Sequence, residues 1–265
     1  NCPVLVDANS NDQSHKIWKQ KNAAYQQLQF QIIAPSSWMK NSVLRSSLMK
    51  GKQVTRIPNT LETNVFQLQN QQEARAKLGL PKDKFIFLTG FMPSKKDSHK
   101  GAAYLLESLE LLAAKRSIAA ENIELVVFGN RNTEDVPAFP FKTMFLGTIS
   151  EDEKLAACYA AADAFLIPSL EDNLPYTVME SLACGTPVIA FTTGGIPNMV
   201  QHEHNGFLAE YKSSESFCQG MEWIINYPVK EVLRKNARET VMQKFSAEVI
   251  AQKHIELYKS LLPNG

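Results

Sequence analysis

Two short apolar runs on either side of a helical segment, Ala164 to Pro168 and Pro187 to Phe191, constrain the fold of this chain more than any other feature. Each is too short for a buried helix and apolar throughout, so each predicts a strand covered on both faces. Between them lie an acidic loop, a helical pattern from about Tyr176 to Cys184, and Gly185 as a C-terminal stop. The turn Thr192-Thr193-Gly194-Gly195 follows the second run. Strand, helix and strand in this order predict a crossover between parallel strands.

The same alternation runs through most of the chain. Strands are expected at Phe85 to Gly90, Ile123 to Gly129, Lys142 to Gly147 and Phe207 to Ala209. Helices are expected at Gly101 to Arg116, Ser214 to Asn226, Val229 to about Phe245 and Ala247 to Leu262. Another, running to about Ala162, opens at a capping box, Ser150-Glu151-Asp152-Glu153. The first part reads as a helix around Lys16 to Gln29, a strand Phe30 to Ala34, a helix to about Lys50 and a strand Val54 to Ile57. Strands alternating with helices of this length predict an α/β fold with a doubly wound parallel sheet. The expected division is 1–60, a Gln-containing linker at 61–79, a main domain at 80–245 and a final helical segment at 246–265.

Composition excludes several classes. A formal net charge of +1 gives no electrostatic footprint for nucleic acid. No run of eighteen apolar residues occurs, so no membrane-spanning helix is expected. The start, Asn1-Cys2-Pro3, shows no basic and apolar leader, and no signal peptide is read there. Cys2, Cys158, Cys184 and Cys218 are widely spaced and form no C-x-x-C pair, which points to reduced thiols in a cytoplasmic protein. His202 and His204 lack a third metal ligand nearby, and His15 and His254 are isolated. There is no G-x-x-x-x-G-K-[ST] loop and no G-x-G-x-x-G after a strand, which counts against a P-loop enzyme and an ordinary NAD enzyme.

The loop after Pro168 is where an α/β sheet binds ligands, at the carboxyl end of a strand. Asp172 and Glu180 stand eight positions apart, one in the loop and one two turns into the helix, so both can face one cleft. A helix N-terminus beside two carboxylates suits a ligand carrying phosphate and hydroxyl groups. The N–H groups take the anion and the carboxylates accept from hydroxyls.

The segment resembles the acidic signature of retaining, nucleotide-sugar-dependent glycosyltransferases of the GT-B fold, family four. The residues carrying the resemblance are Asp172 to Glu180, Cys184-Gly185-Thr186-Pro187-Val188 and Gly194-Gly195-Ile196-Pro197. Asp172 stands where the family has a glutamate, with Glu171 beside it one residue off the family spacing. Residues 80–245 resemble a complete Rossmann-like donor-binding half. Residues 30–60, with Ala34-Pro35-Ser36 and Ile57-Pro58-Asn59, resemble the last strand–helix–strand of the N-terminal half. The start, with Cys2-Pro3, Asp12, Ser14, Trp18 and Lys21, is similar to a bacterial polysaccharide subgroup. An intact N-terminal half needs well over about a hundred residues, so the resemblance implies an N-terminally truncated enzyme.

The resemblance implies transfer of a sugar, with retention, from a nucleoside diphosphate to a glycan or lipid-linked acceptor, without a metal or other cofactor. Lys100, before Gly101, takes the place of the lysine that binds the donor diphosphate. Phe91 stands where many members have an arginine, and nothing in the sequence chooses among Lys95, Lys96 and His99 as its replacement. Catalytic roles fall to Asp172 and Lys100. Donor-binding roles fall to Glu180, Glu171, Asn173, Leu174, Pro175, Tyr176 and Thr177, with Gly129, Asn130, Leu146, Gly147 and Ile149 at the base. Peripheral membrane association of the full enzyme and self-association through residues 1–60 also follow as expectations, as does a final helix crossing back to the N-terminal part. The chain as given is expected to bind donor and to transfer little sugar. The alternatives are a non-catalytic nucleotide-sugar-binding module and a nucleotide-sugar epimerase of the same architecture.

Overall fold

The computed structural model describes residues 9, 12–90, 100–115, 119–129 and 138–262, and the chain divides into two compact units, Asn1–Ile57 and Pro58–Gly265. In the first unit, Asp12 caps helix α1 (Gln13–Gln27) by accepting the N–H of His15 at 2.9 Å. Ser36 does the same for α2 (Ser37–Arg45) through Met39. Strands β1 (Ile32–Ala34) and β2 (Val54–Arg56) pair in parallel, Ile32 opposite Val54. Helix α2 ends at Arg45 rather than near Lys50, where Ser46 turns to an extended conformation.

The second unit contains α3 (Gln71–Leu78), β3 (Phe85–Thr89), α4 (Ala102–Ala113), β4 (Ile123–Phe128), β5 (Lys142–Gly147), α5 (Asp152–Ala161), β6 (Ala164–Ile167), α6 (Tyr176–Ala183), β7 (Val188–Phe191), β8 (Gly206–Ala209), α7 (Ser214–Ile225), α8 (Lys230–Phe245) and α9 (Ala247–Leu261). Among the described residues its six strands are all parallel, in the order β5-β4-β3-β6-β7-β8. Counted within the unit this is 3-2-1-4-5-6, the doubly wound order of a Rossmann fold.

The period-2 alternation of each strand divides the core between the two faces of the sheet. Ile86, Leu88, Val126, Phe165 and Val188 belong to one cluster with residues of α5, α6 and α8. Phe87, Leu125, Val127, Leu166 and Phe191 belong to the other with residues of α4 and α7. Strands β3, β4, β6 and β7 are buried nearly throughout, as their continuous apolar runs predict.

The stretch read as a linker, 61–79, is built into this unit. Leu61 and Phe66 are buried, and the Leu61 N–H donates to the Phe245 carbonyl at 3.1 Å. Arg238 of α8 donates to the carbonyls of Thr63, Phe66 and Ala183. Helix α3 is capped by Asn70 and ends at left-handed Gly79, and it carries the buried Arg75. The Arg75 guanidinium pairs with Asp163 at 2.8 Å and donates to the carbonyls of Ala161, Lys82 and Lys84. Asp163 also accepts from the Ile86 N–H at 2.7 Å and from Gln71. This knot ties α3 to the starts of β3 and β6.

The expected capping box does not form. Helix α5 begins at Asp152 with Glu151 as its N-cap and no side-chain cap bond. Asp152 and Glu153 instead place negative charge in its first turn, where the helix dipole favours it.

Candidate functional site

The strand order reverses between β3 and β6, and the carboxyl edge at such a switch point is where the ligand crevice of a doubly wound sheet lies. Lys100 lies at the end of the segment that follows β3, and Asp172 lies in the loop after β6. They meet across this switch point, Lys100 Nζ to Asp172 Oδ2 at 3.8 Å. Side-chain exposures of 44% and 23% leave the pair open to solvent, so it contributes about 0–1 kcal/mol and can be surrendered to a ligand. Burial pushes the Asp172 carboxyl above its ordinary value, and the Lys100 cation and the Asn173 backbone N–H draw it back down.

Two glycines fix the crevice walls. Gly101 is the left-handed N-cap of α4 (φ 68°), and a Cβ there would run into the Pro168 carbonyl oxygen. Gly194, in the turn after β7, has φ 53°, and its Cβ would run into the Asp172 carbonyl oxygen. The neighbouring Gly195 N–H donates to that same carbonyl at 3.1 Å, and the Thr193 hydroxyl donates to the Leu170 carbonyl at 2.9 Å. The acidic loop is therefore held by backbone contacts from both sides.

Helix α6 starts next to this loop with Pro175 as its N-cap and no side-chain cap. Val178 N–H reaches back to the Pro175 carbonyl at 3.2 Å, while the N–H groups of Tyr176 and Thr177 have no partner within the helix. Two turns on, Glu180 accepts from the Tyr159 hydroxyl at 2.9 Å. Tyr159 is fully buried, and burial together with the adjacent Glu180 charge raises its hydroxyl well above the ordinary value, so it stays a donor. Its ring stands edge-on to Phe128 at the end of β4, with centroids 5.9 Å apart. Glu180 is thereby anchored by a residue of α5, with its second oxygen uncommitted among the described residues.

Burial raises the Glu180 carboxyl above its ordinary 4.5, with the Tyr159 hydrogen bond opposing. The native state then holds a proton that the unfolded chain releases, so stability falls as pH climbs from 4.5 through the raised value. Glu180→Gln keeps an acceptor for Tyr159 and removes that cost. Its urea midpoint is expected to exceed that of the wild type at pH 7 and to match it near pH 4. Equal midpoints at both pH values would contradict the burial account.

The other sequence-chosen residues separate into groups. Asn173 and Tyr176 lie in or beside the loop with Tyr176 exposed, and Glu171 is exposed. Leu174 and Pro175 are buried, Leu174 within the core beneath α6, so any ligand contact there falls to the backbone. The Gly129 N–H donates to the Gly147 carbonyl at 2.8 Å. Leu146 and Ile149 are partly buried against the core. Asn130 and the candidates Phe91, Lys95, Lys96 and His99 lie outside the described residues. Among the described residues no group of three His, Cys, Asp or Glu side chains is placed to hold a metal ion, and no helix is long and apolar enough to cross a membrane. Cys158, Cys184 and Cys218 are buried free thiols, and burial pushes that of Cys184 up to about 12.

Comparison with known proteins gives the family and the fold. A capsular polysaccharide biosynthesis glycosyltransferase of Staphylococcus aureus is 24% identical over 241 residues, 87% of this chain and 62% of that protein. An uncharacterized glycosyltransferase of Methanocaldococcus jannaschii is 27% identical over 194 residues, 70% of this chain and 47% of that protein. The chain spans about half the length of the first curated relatives it matches. The solved structure of Anabaena HepE in complex with UDP-glucose covers 94% of this chain and 70% of its own, with TM-score 0.68 and 18% identity, which shows a shared fold. The expected GT-B-type α/β fold is thus borne out. The family model for glycosyl transferases group 1 matches residues 70–240, well over half of the chain, and the chain belongs to that family.

Proposed function

We propose that the switch-point crevice holds a nucleoside-diphosphate sugar and that this chain presents it for retaining glycosyl transfer in polysaccharide or glycoconjugate synthesis. The observation that carries this reading is the Lys100–Asp172 pair, which spans the crevice beside the uncapped start of α6. The S. aureus relative and the UDP-glucose complex of HepE support the class of donor.

In this reading the bond from the anomeric carbon to the diphosphate oxygen breaks, and its electron pair passes to the diphosphate. Lys100 and the Tyr176 and Thr177 N–H groups meet that growing charge. Each charged hydrogen bond contributes about 1.5–3 kcal/mol net, so these groups can supply much of the leaving-group stabilisation without a metal. Asp172, freed from Lys100, accepts from sugar hydroxyls, and Glu180 accepts from the ribose through its uncommitted oxygen. The base rests near Gly129, Gly147 and the Leu146–Ile149 edge. The acceptor hydroxyl bonds to the anomeric carbon on the face the diphosphate leaves and passes its proton to the departing phosphate. Donor capture is the activity proposed for this chain by itself.

Lys100→Ala is expected to weaken a nucleoside diphosphate by about 10–150-fold while leaving the nucleoside little changed. Glu180→Ala is expected to weaken both, since both carry the ribose. Calorimetric titration of the two ligands into the two variants checks this, and the same pattern of loss in both would overturn the division of roles.

A further inference from the structure

At the opposite edge of the sheet, where the strands begin, a cavity of about 170 Å³ lies among Asp163, Pro187, Ile224, Lys230, Glu231, Leu233 and Arg234. A wider cleft of about 480 Å³ adjoins it and shares Gln71, Asp163 and Lys230. We propose that this cavity is a second anion site, for a compact phosphate-class group, separate from the donor crevice.

Lys230 and Arg234 are four apart on α8 and both line the cavity, a spacing at which like charges repel. Arg234 is 9% exposed, and its Nη1 is buried with no hydrogen-bond partner among the described residues. A buried charged donor left unpaired is costly, so the site calls for an acceptor.

The carboxylates at hand do not meet that need. Glu231 approaches Arg234 Nε only to 4.0 Å, with its own side chain 86% exposed and therefore screened. Asp163 is consumed by Arg75, the Ile86 N–H and Gln71. Lys230 sits over the Phe85 ring, 4.2 Å from its centroid, which holds the cation at the cavity mouth without neutralising it. Helix α8 also begins here with no side-chain cap, and the positive end of its dipole is offset only by the exposed Glu231 of its first turn. The apolar walls of Pro187, Ile224 and Leu233 strengthen attraction for an anion and exclude most competing water. Strands of four to six residues at about 3.3 Å each put the cavity roughly 15 Å from the donor crevice.

Inorganic phosphate tests this on the full 265-residue chain, read by thermal unfolding against sodium chloride at equal ionic strength. Phosphate is expected to raise the melting temperature beyond chloride in the wild type and in Lys100→Ala. In Lys230→Gln and Arg234→Gln the phosphate concentration needed for half the effect is expected to rise about tenfold or more. Lys230→Gln alters a half-buried side chain at a helix end and keeps the test informative if Arg234→Gln fails to fold. No shift beyond chloride, as when ordered water alone fills the cavity, overturns the proposal. So does a shift that Lys100→Ala abolishes and Lys230→Gln retains.

Discussion

Asp163→Ala is expected to lower the stability of the second unit by about 3–5 kcal/mol, because it leaves the Arg75 charge buried without its partner. Arg75 is 2% exposed and Asp163 accepts from it at 2.8 Å, from the Ile86 N–H at 2.7 Å and from Gln71 at 3.2 Å. Removing the carboxylate therefore strands the Arg75 and Ile86 donors at once, while Gln71 keeps the Ala162 carbonyl at 3.0 Å. At about 2–4 °C per kcal/mol for a chain of this size, the melting temperature should fall by about 6–20 °C. Asp163→Asn keeps acceptor oxygen and should lose less. The knot sits at the amino edge of the sheet, away from the donor crevice, so nucleotide affinity of the folded variant should be nearly unchanged. A melting temperature for Asp163→Ala within about 2 °C of the wild type would contradict the role given to this pair.

Gly194→Ala is the second large effect, and it should strike stability and ligand binding together. A side chain in the left-handed region costs about 1–2 kcal/mol. The added Cβ would also meet the Asp172 carbonyl oxygen, an overpacking cost of about 1–3 kcal/mol. That carbonyl cannot retreat without breaking the Gly195 N–H bond at 3.1 Å, so the strain moves the loop that carries Asp172. Together these predict a loss of about 2–5 kcal/mol and a marked loss of nucleotide affinity. Gly79→Ala is the internal control, since Gly79 has φ 68° with nothing within 4 Å of an added Cβ. It should show the conformational cost alone and bind nucleotide normally. Equal effects of the two substitutions, measured by urea unfolding and calorimetric titration, would overturn the clamp.

The parts of this fold legible in the sequence are those whose cause is local. The strands Lys142–Gly147 and Val188–Phe191 and the helices α7 to α9 follow from apolar periods and turn residues within a few positions. The failures have long-range causes. Residues 61–79 look like a polar connector until Arg238 and Phe245, more than 170 positions away, supply their partners. Ser150 fits a capping pattern, yet the helix starts two residues later on acidic charge.

The site divides in the same way. The acidic loop and Lys100 were legible because the residues around them form a dense motif, and strand order alone brings them together. Tyr159 was not, because the sequence around it gives no sign of Glu180. The bond from the Gly129 N–H to the Gly147 carbonyl is not legible either, because it is fixed by the pairing of β4 with β5.

The central claim is that the crevice at the switch point, where Lys100 meets Asp172, captures a nucleoside-diphosphate donor without a metal. Thermal and urea unfolding of the chain with UDP, GDP and ADP, each with and without EDTA, tests it most directly. At least one nucleotide is expected to stabilise the chain, by about 2.7 kcal/mol at a hundredfold excess over Kd, equally in EDTA, and to lose most of that effect in Lys100→Ala. No stabilisation by any of the three at millimolar concentration, or stabilisation that EDTA removes, would contradict the account.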